Sequence, residues 1–484
     1  MTEVDQIEAV ELLIGGEWQP AKEGGRFAIQ DPGLECVLTE AADAGPADAL
    51  AALDAAVDAA SRWSATAPRE RGEVLRRSFD LLIARQDSFA RLLTLEMGRP
   101  LAESRAEVSY AAEFLRWYAE EAVRINGRYG QAPAGGARIL TTPQPVGPCL
   151  LIAPWNFPLA MATRKLAPAL AAGCTTVLKP ARETPLASRA LATLMSDAGL
   201  PPGVFNLLTT SHPREVVAAL LADPRLRKVS FTGSTAVGKE LVRAAADNLL
   251  RTSMELGGNA PLIVFEDADL DLAVREATVA KMRNAGQSCV AANRMLVAAP
   301  IAAEFSERLA GAIGKMAIGH GLDAGVEVGP VIDDAARRRL AGLVAEARRA
   351  GAISLLGDDD GELPDRGYFF APTVLADVPA DSRLLHDESF GPVAPIITFE
   401  DEEEALALAN ATPYGLASYV FTADMSRALR VTERIAAGMV GINRGMVSDA
   451  SAPFGGIKQS GLGREGGPEG LAEYLALKYA SIVA

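Results

Sequence analysis

From position 146 onward the chain alternates short apolar runs with stretches of helical period, and few folds accommodate that rhythm. Strand-like runs at 149–153, 175–178, 204–208 and 228–232 are separated by helical stretches at 161–172, 186–197 and 215–222, with a further one at 237–246. Strand, helix and strand in regular succession predict a doubly wound parallel sheet, whose ligands bind at the carboxyl ends of the strands. A second alternating set follows. Strands are expected at 261–265, 295–298, 395–399 and 418–422, with helices around 270–282, 303–316, 334–350, 403–410 and 426–437, giving a second α/β unit. Ahead of both, residues 12–30 read as small strands broken by Gly15-Gly16 and Gly24-Gly25. Residues 46–124 read as helices, with Leu75, Phe79, Leu82, Ile83 and Phe114 recurring at helical spacing and Trp117 and Tyr118 read as core. The segment 126–145 carries four Gly, three Pro and one short strand-like run. It is too poor in apolar residues to be a domain and reads as an arm whose edge needs another surface. The tail, 471–484, ends in an apolar strand-like run, and no short-period repeat is evident.

Composition narrows the function. The chain has 484 residues, enough for two or more cored domains, and 49% of them are hydrophobic. A formal net charge of -15 opposes binding to nucleic acid or anionic membrane, while a local Arg pair can still hold an anionic substrate. Cys36, Cys149, Cys174 and Cys289 have no CxxC spacing, and His212, His320 and His386 are far apart. Free thiols in a reducing compartment and no metal site are expected. The acidic start, Met1-Thr2-Glu3-Val4-Asp5, lacks a basic n-region, and prolines interrupt the most apolar region. The expectation is a cytoplasmic protein without signal peptide or membrane span.

Four stretches carry chemistry. Asn284-Ala285-Gly286-Gln287-Ser288-Cys289 presents a thiol after a turn-prone run, and Met254-Glu255-Leu256-Gly257-Gly258-Asn259 presents a carboxylate ahead of two glycines. A lone Cys is commonly a small buried hydrophobe. Paired with a carboxylate, it can instead attack an electrophilic carbon while the acid later activates water. Ala153-Pro154-Trp155-Asn156-Phe157-Pro158 ends a strand and offers the Asn156 amide as a donor to an oxyanion, although an Asn turn between prolines is common. Phe231-Thr232-Gly233-Ser234-Thr235-Ala236-Val237-Gly238-Lys239-Glu240 is a glycine-rich strand-to-helix turn suited to a diphosphate. It nearly spells a P-loop, but Glu240 stands where a nucleotide hydrolase needs Ser or Thr for magnesium, so a dinucleotide fits better. Lys179 closes a strand where a cofactor ribose or phosphate would lie.

Taken in order, Trp155-Asn156-Phe157-Pro158, the 231–238 loop, Glu255-Leu256-Gly257-Gly258, Gly286-Gln287-Ser288-Cys289, Glu388-Ser389-Phe390-Gly391-Pro392 and Pro453-Phe454-Gly455-Gly456 resemble the aldehyde dehydrogenase superfamily across nearly the whole chain. Within it, Thr163-Arg164-Lys165, the 281–287 segment and Gly461-Leu462-Gly463-Arg464-Glu465-Gly466 look most like succinate-semialdehyde dehydrogenases. The resemblance implies a Rossmann-like cofactor domain (1–125 and 146–257), an α/β catalytic domain (258–459) and a small β oligomerisation arm (126–145 and 471–484). That arm would pair with the tail of a partner subunit in a homodimer or homotetramer. It also implies Cys289 as nucleophile, Asn156 as oxyanion donor, Glu255 as the base for thioester hydrolysis, and Lys165 and Glu465 as aids to proton movement. Trp155, Lys179, Arg182, Gly233, Ser234, Gly238, Leu256, Glu388 and Phe390 would bind the cofactor.

Arg164, Arg283 and Ser448 match the family's grip on a distal carboxylate, so succinate semialdehyde is the favoured substrate. Arg444 and Asp449 are unexpected nearby charges and leave glutarate semialdehyde or another anionic aldehyde open. Many NAD-preferring relatives carry Glu three positions after Lys179. This chain has Arg182 there and Glu183 next, which favours NADP over NAD. Thr210 replaces a frequent Gly and alters the adenosine end. Ala291 replaces the second cysteine of some semialdehyde enzymes, which rules out a local switch disulfide. The non-enzyme alternative is a protein that binds cofactor without thiol-dependent turnover.

Overall fold

The computed structural model describes residues 7–357 and 363–483. The acidic start, 1–5, lies outside the described residues. The fold is mixed α/β with two large sheets. The first has eight strands, ordered Gly461–Leu462, Arg251–Glu255, Lys228–Thr232, Cys149–Ile152, Thr176–Lys179, Phe205–Leu207, Leu12–Ile14 and Glu17–Gln19. The five central strands are parallel, and the flanking ones are antiparallel. Alternation along each strand accounts for the double winding. Cys149 and Leu151 face a core built with the helices Leu101–Glu121, Pro158–Ala172 and Leu186–Asp197. Leu150 and Ile152 face a second core with Leu53, Val216, Leu220 and Leu241. The chain runs outward from Cys149–Ile152 on one side and returns to Lys228–Thr232 on the other. Their carboxyl ends, Ala153-Pro154-Trp155 and Gly233-Ser234, therefore flank the switch point where such sheets bind ligands.

The second sheet has seven strands, ordered Ile353–Leu356, Thr373–Ala376, Val393–Phe399, Ala292–Ala298, Ala260–Val264, Ala417–Phe421 and Met439–Ile442. All pairs are parallel except the first. Four of these match the strands expected from sequence. The three others are four-residue strands, too short to show a period. Cys289 lies just before Ala292–Ala298, Gly258 just before Ala260–Val264, and Phe390 just before Val393–Phe399. The amino ends of this sheet thus carry residues of the same site that the carboxyl ends of the first sheet supply.

Two connections depart from expectation. Gly461–Leu462 pairs antiparallel with Met254 and Glu255, so the late segment returns to the first sheet and brings Glu465 with it. The arm strand Arg138–Pro145 pairs over its full length with Leu475–Ile482 of the same chain, with Arg128–Gln131 on its other edge. The pairing expected with a partner's tail is therefore made within one chain. The tail is continuous with the helix Gly467–Ala472, which holds it beside the arm. Among the described residues, no helix is long and apolar enough to cross a membrane.

Candidate active site

Asn284 and Ala285 both adopt positive φ, 56° and 51°, and Gly286 follows at 73°. Three left-handed residues in a row are costly for non-glycine chain and persist only where neighbours enforce them. Here the Asn284 N–H donates to Glu103 Oε2 at 2.8 Å. The Gln287 amide donates to Asn284 O and Pro330 O, and accepts from the Ile332 N–H. A Cβ on Gly286 would stand 2.1 Å from the Gly391 carbonyl, so the turn closes only with glycine there. Cys289, half-buried, leaves this turn into a cavity of about 300 Å³. Burial pushes its thiol up to about 12, opposed by Arg164 and reinforced by Glu388 and Glu255.

Glu255 ends its strand on the same cavity. Neither of its carboxylate oxygens has a hydrogen-bond partner among the described residues. Burial, reinforced by Glu465, holds it well above the usual carboxylate range against the pull of Arg164, Lys165 and Arg464. Asn156 uses one amide hydrogen on Gln287 O at 3.1 Å and accepts the Phe157 N–H on Oδ1. Its second amide hydrogen remains available at the cavity wall. Lys165 and Glu465 do not line the cavity. They form a buried ion pair behind Glu255, extended by Lys165 to Ser230 Oγ at 3.2 Å. Burial alone would raise Glu465, but Lys165 and Arg164 outweigh it and hold this carboxyl low.

Arg164, Arg283 and Ser448 all line the cavity, each from a different segment of the chain. Arg164 Nε pairs with Glu465 Oε2 at 2.6 Å and its guanidinium lies 4.0 Å above the Phe454 ring, while buried Nη2 has no hydrogen-bond partner among the described residues. Arg283 stacks 4.6 Å over Phe157. Arg444, by contrast, is exposed and outside the cavity wall, as is Asp449.

Glu388 accepts the Gly258 N–H at 3.1 Å, and burial pushes its carboxyl up to about 7. Phe390 meets Trp155 edge to face at 5.4 Å. Pro154, Trp155, Thr232, Gly233 and Ser234 are shared with a second cavity of about 520 Å³, so the two form one elongated space suited to a dinucleotide. Gly233 packs on the Phe231 ring, and Gly238 on Leu256, at distances a Cβ would violate. Lys179, Arg182, Glu183, Thr210, Arg214 and Glu240 line the far end. Burial lowers Lys179 to about 8. Arg182 lies 3.6 Å from Glu183, and Arg214 lies 3.8 Å from Glu240. Thr210 turns its hydroxyl inward to Asp43 and Ala44 O. Lys239 leans away to Gln459, unlike the lysine of a P-loop.

Three contributors escape sequence reading. Tyr110 lines the cavity beside Arg164 and Ser448. It sits on a helix whose apolar period makes it look like core. Arg339 donates to the carbonyls of Glu388 and Ser389. It is hidden in the run Arg337-Arg338-Arg339, which reads as a solvated face. Arg99 ties Glu107 to the Asn156 carbonyl from a loop without motif.

Comparison with known proteins places nearly the whole chain in one family. Residues 18–480 match the model of the aldehyde dehydrogenase family. A succinate-semialdehyde dehydrogenase of Paenarthrobacter nicotinovorans is 57% identical over 92% of this chain and 99% of its own. The succinate-semialdehyde dehydrogenase [NADP(+)] of Escherichia coli (strain K12) is 47% identical over 98% and 97%. A glutarate-semialdehyde dehydrogenase of Pseudomonas aeruginosa is 46% identical over 97% and 96%. The crystal structure of an E. coli NADP-dependent enzyme superposes with a TM-score of 0.96 at 46% identity, covering all of both chains.

Proposed function

The chain belongs to the aldehyde dehydrogenase family, and from that premise we propose that it oxidises an anionic semialdehyde, succinate semialdehyde first, to the carboxylic acid with NAD(P). One observation carries the substrate class. Two guanidiniums, one with a buried Nη2 that has no hydrogen-bond partner among the described residues, share a cavity of about 300 Å³ with the thiol and the carboxyl. A carboxylate held by Arg164, Arg283 and Ser448 would present its distal aldehyde carbon to Cys289.

In the proposed reaction the Cys289 thiol first gives up its proton to solvent, and the thiolate sulfur bonds to the aldehyde carbon. The resulting oxyanion takes hydrogen bonds from the Asn156 amide and the Cys289 backbone N–H. When bound, NAD(P) supplies the hydride acceptor. Loss of hydride from the thiohemiacetal leaves a thioester on Cys289. Glu255 takes a proton from water as its oxygen attacks the thioester carbon. The C–S bond then breaks, releasing the acid and leaving Cys289 as the thiolate, ready for the next aldehyde. Lys165 and Glu465 would pass that proton onward. Glu388 would hold the ribose on the nicotinamide side, Trp155 and Phe390 would wall the ring, and Gly233, Ser234, Gly238 and Leu256 would shape the diphosphate turn. Lys179 and Arg182 would meet the adenosine end. With Arg214 they make three cations there against two carboxylates, which supports NADP over NAD.

A panel of succinate semialdehyde, glutarate semialdehyde and propanal, run with both cofactors, tests this. Expected is a kcat/KM for succinate semialdehyde at least about a hundredfold above propanal, lost in Arg283→Ala, with a lower KM for NADP than for NAD. Equal values for the charged and uncharged aldehydes would remove the carboxylate grip.

The arm supports a homodimer or homotetramer. Leu477, Tyr479 and Tyr129 expose apolar surface on its three-stranded sheet. Light scattering should give a multiple of the chain mass, reduced to one chain when 475–482 is deleted. A full-length monomer would contradict it.

A further inference from the structure

We propose that Tyr110 is a specificity-determining residue whose hydroxyl donates a hydrogen bond to the distal carboxylate of the substrate. The proposal rests on the reading of Arg164, Arg283 and Ser448 as the carboxylate grip and adds a fourth, uncharged member.

Tyr110 lies on the helix Leu101–Glu121, on the wall of the same cavity as Arg164, Arg283 and Ser448. Its ring is fixed edge to face against buried Phe114, with centroids 4.9 Å apart. The hydroxyl is thereby aimed rather than free to swing. Its buried oxygen lies within hydrogen-bonding reach of the Arg164 and Ser448 side chains, and no bond to it closes with full geometry among the described residues. Buried Arg164 Nη2 likewise has no hydrogen-bond partner among the described residues. A guanidinium can only donate to that oxygen, so the phenol hydrogen and the Nη2 hydrogens on this wall cost stability unless a ligand accepts them. One anionic group with several lone pairs satisfies both, as a carboxylate does. Burial raises the phenol above its ordinary value, so it stays protonated and can only strengthen an anion's hold as a donor. An uncharged aldehyde would leave the hydroxyl unpaired. Tyr110 therefore adds discrimination that grows with the presence of the distal carboxylate, not with aldehyde chemistry.

The test compares the parent, Tyr110→Phe and Arg283→Ala full-length enzymes on succinate semialdehyde and propanal. Succinate is added as a competitive inhibitor. The readout is the ratio of kcat/KM for the two aldehydes, which cancels any general loss of folded enzyme. Tyr110→Phe should lower that ratio about ten- to a hundredfold, the range for a hydrogen bond to a charged group. The loss should sit in KM, with a matching weakening of succinate inhibition. If the parent prefers succinate semialdehyde, Arg283→Ala loses the preference and Tyr110→Phe keeps it, the Tyr110 assignment fails alone. If the parent shows no preference, the carboxylate grip fails and Tyr110 with it.

Discussion

At Cys289 and Glu255, burial works against ionisation on both sides of the reaction. The thiol is pushed up to about 12 and the carboxyl is held well above its usual range, while Arg164 opposes both shifts. For an acid with a raised pKa, the reactive anion is scarce at neutral pH and grows about tenfold per pH unit until the folded pKa is reached. Alkylation of the cofactor-free enzyme by iodoacetamide, followed on the peptide containing Cys289, should therefore climb about tenfold per unit between about pH 7 and 9 without levelling. A plateau below about pH 8 would mean that the thiol is already ionised there. The nucleophile, its carboxylate and Asn156 were legible in the sequence because each sits in a short motif of unusual residues. Tyr110 and Arg339 were not. A tyrosine on an apolar helical face and an arginine in a basic run each have an ordinary explanation, and only the fold brings them to the cavity.

At the scale of elements, the helix Leu101–Glu121 does more than pack. Glu107 Oε1 accepts the N–H groups of Leu159 and Ala160, both at 3.0 Å, capping the helix Pro158–Ala172 from outside. Its Oε2 pairs with Arg99 Nη1 at 2.5 Å, and Arg99 in turn holds the Asn156 carbonyl. Pro158, first in the capped helix, lacks a donor, so the next two N–H groups need this acceptor. Removing the carboxylate strands a buried guanidinium and two helix donors. Glu107→Ala should cost about 3–5 kcal/mol in urea unfolding. A loss under about 1 kcal/mol would show that the pair is dispensable. Helices and long strands were legible in the sequence through their periods. The strands Ile353–Leu356, Thr373–Ala376 and Met439–Ile442 were not, since four residues cannot display a period. Nor was the antiparallel return of Gly461–Leu462 to the first sheet, a long-range pairing set by Glu255 and its neighbours rather than by local sequence.

Across the whole molecule, the reaction site is a seam between two sheets. The first contributes carboxyl ends with Trp155, Gly233 and Glu255, and the second contributes amino ends with Gly258, Cys289 and Phe390. The Asn156 amide, past the end of a first-sheet strand, donates to the Gln287 carbonyl ahead of a second-sheet strand at 3.1 Å, so the two halves meet in a direct hydrogen bond. The alternation of strands and helices revealed both sheets. It could not reveal their mutual placement, which depends on contacts between residues far apart in sequence. That placement matters because the proposed account needs the sulfur and the carboxyl to serve one acyl group in turn. Its most direct test is a single turnover of Glu255→Gln with NADP and succinate semialdehyde, quenched in acid and weighed intact. The expected result is one equivalent of reduced cofactor per chain and a succinyl group retained on the peptide containing Cys289, with release slowed about 10²–10⁴-fold. Continuous turnover at the parent rate with no acyl group on Cys289 would contradict it.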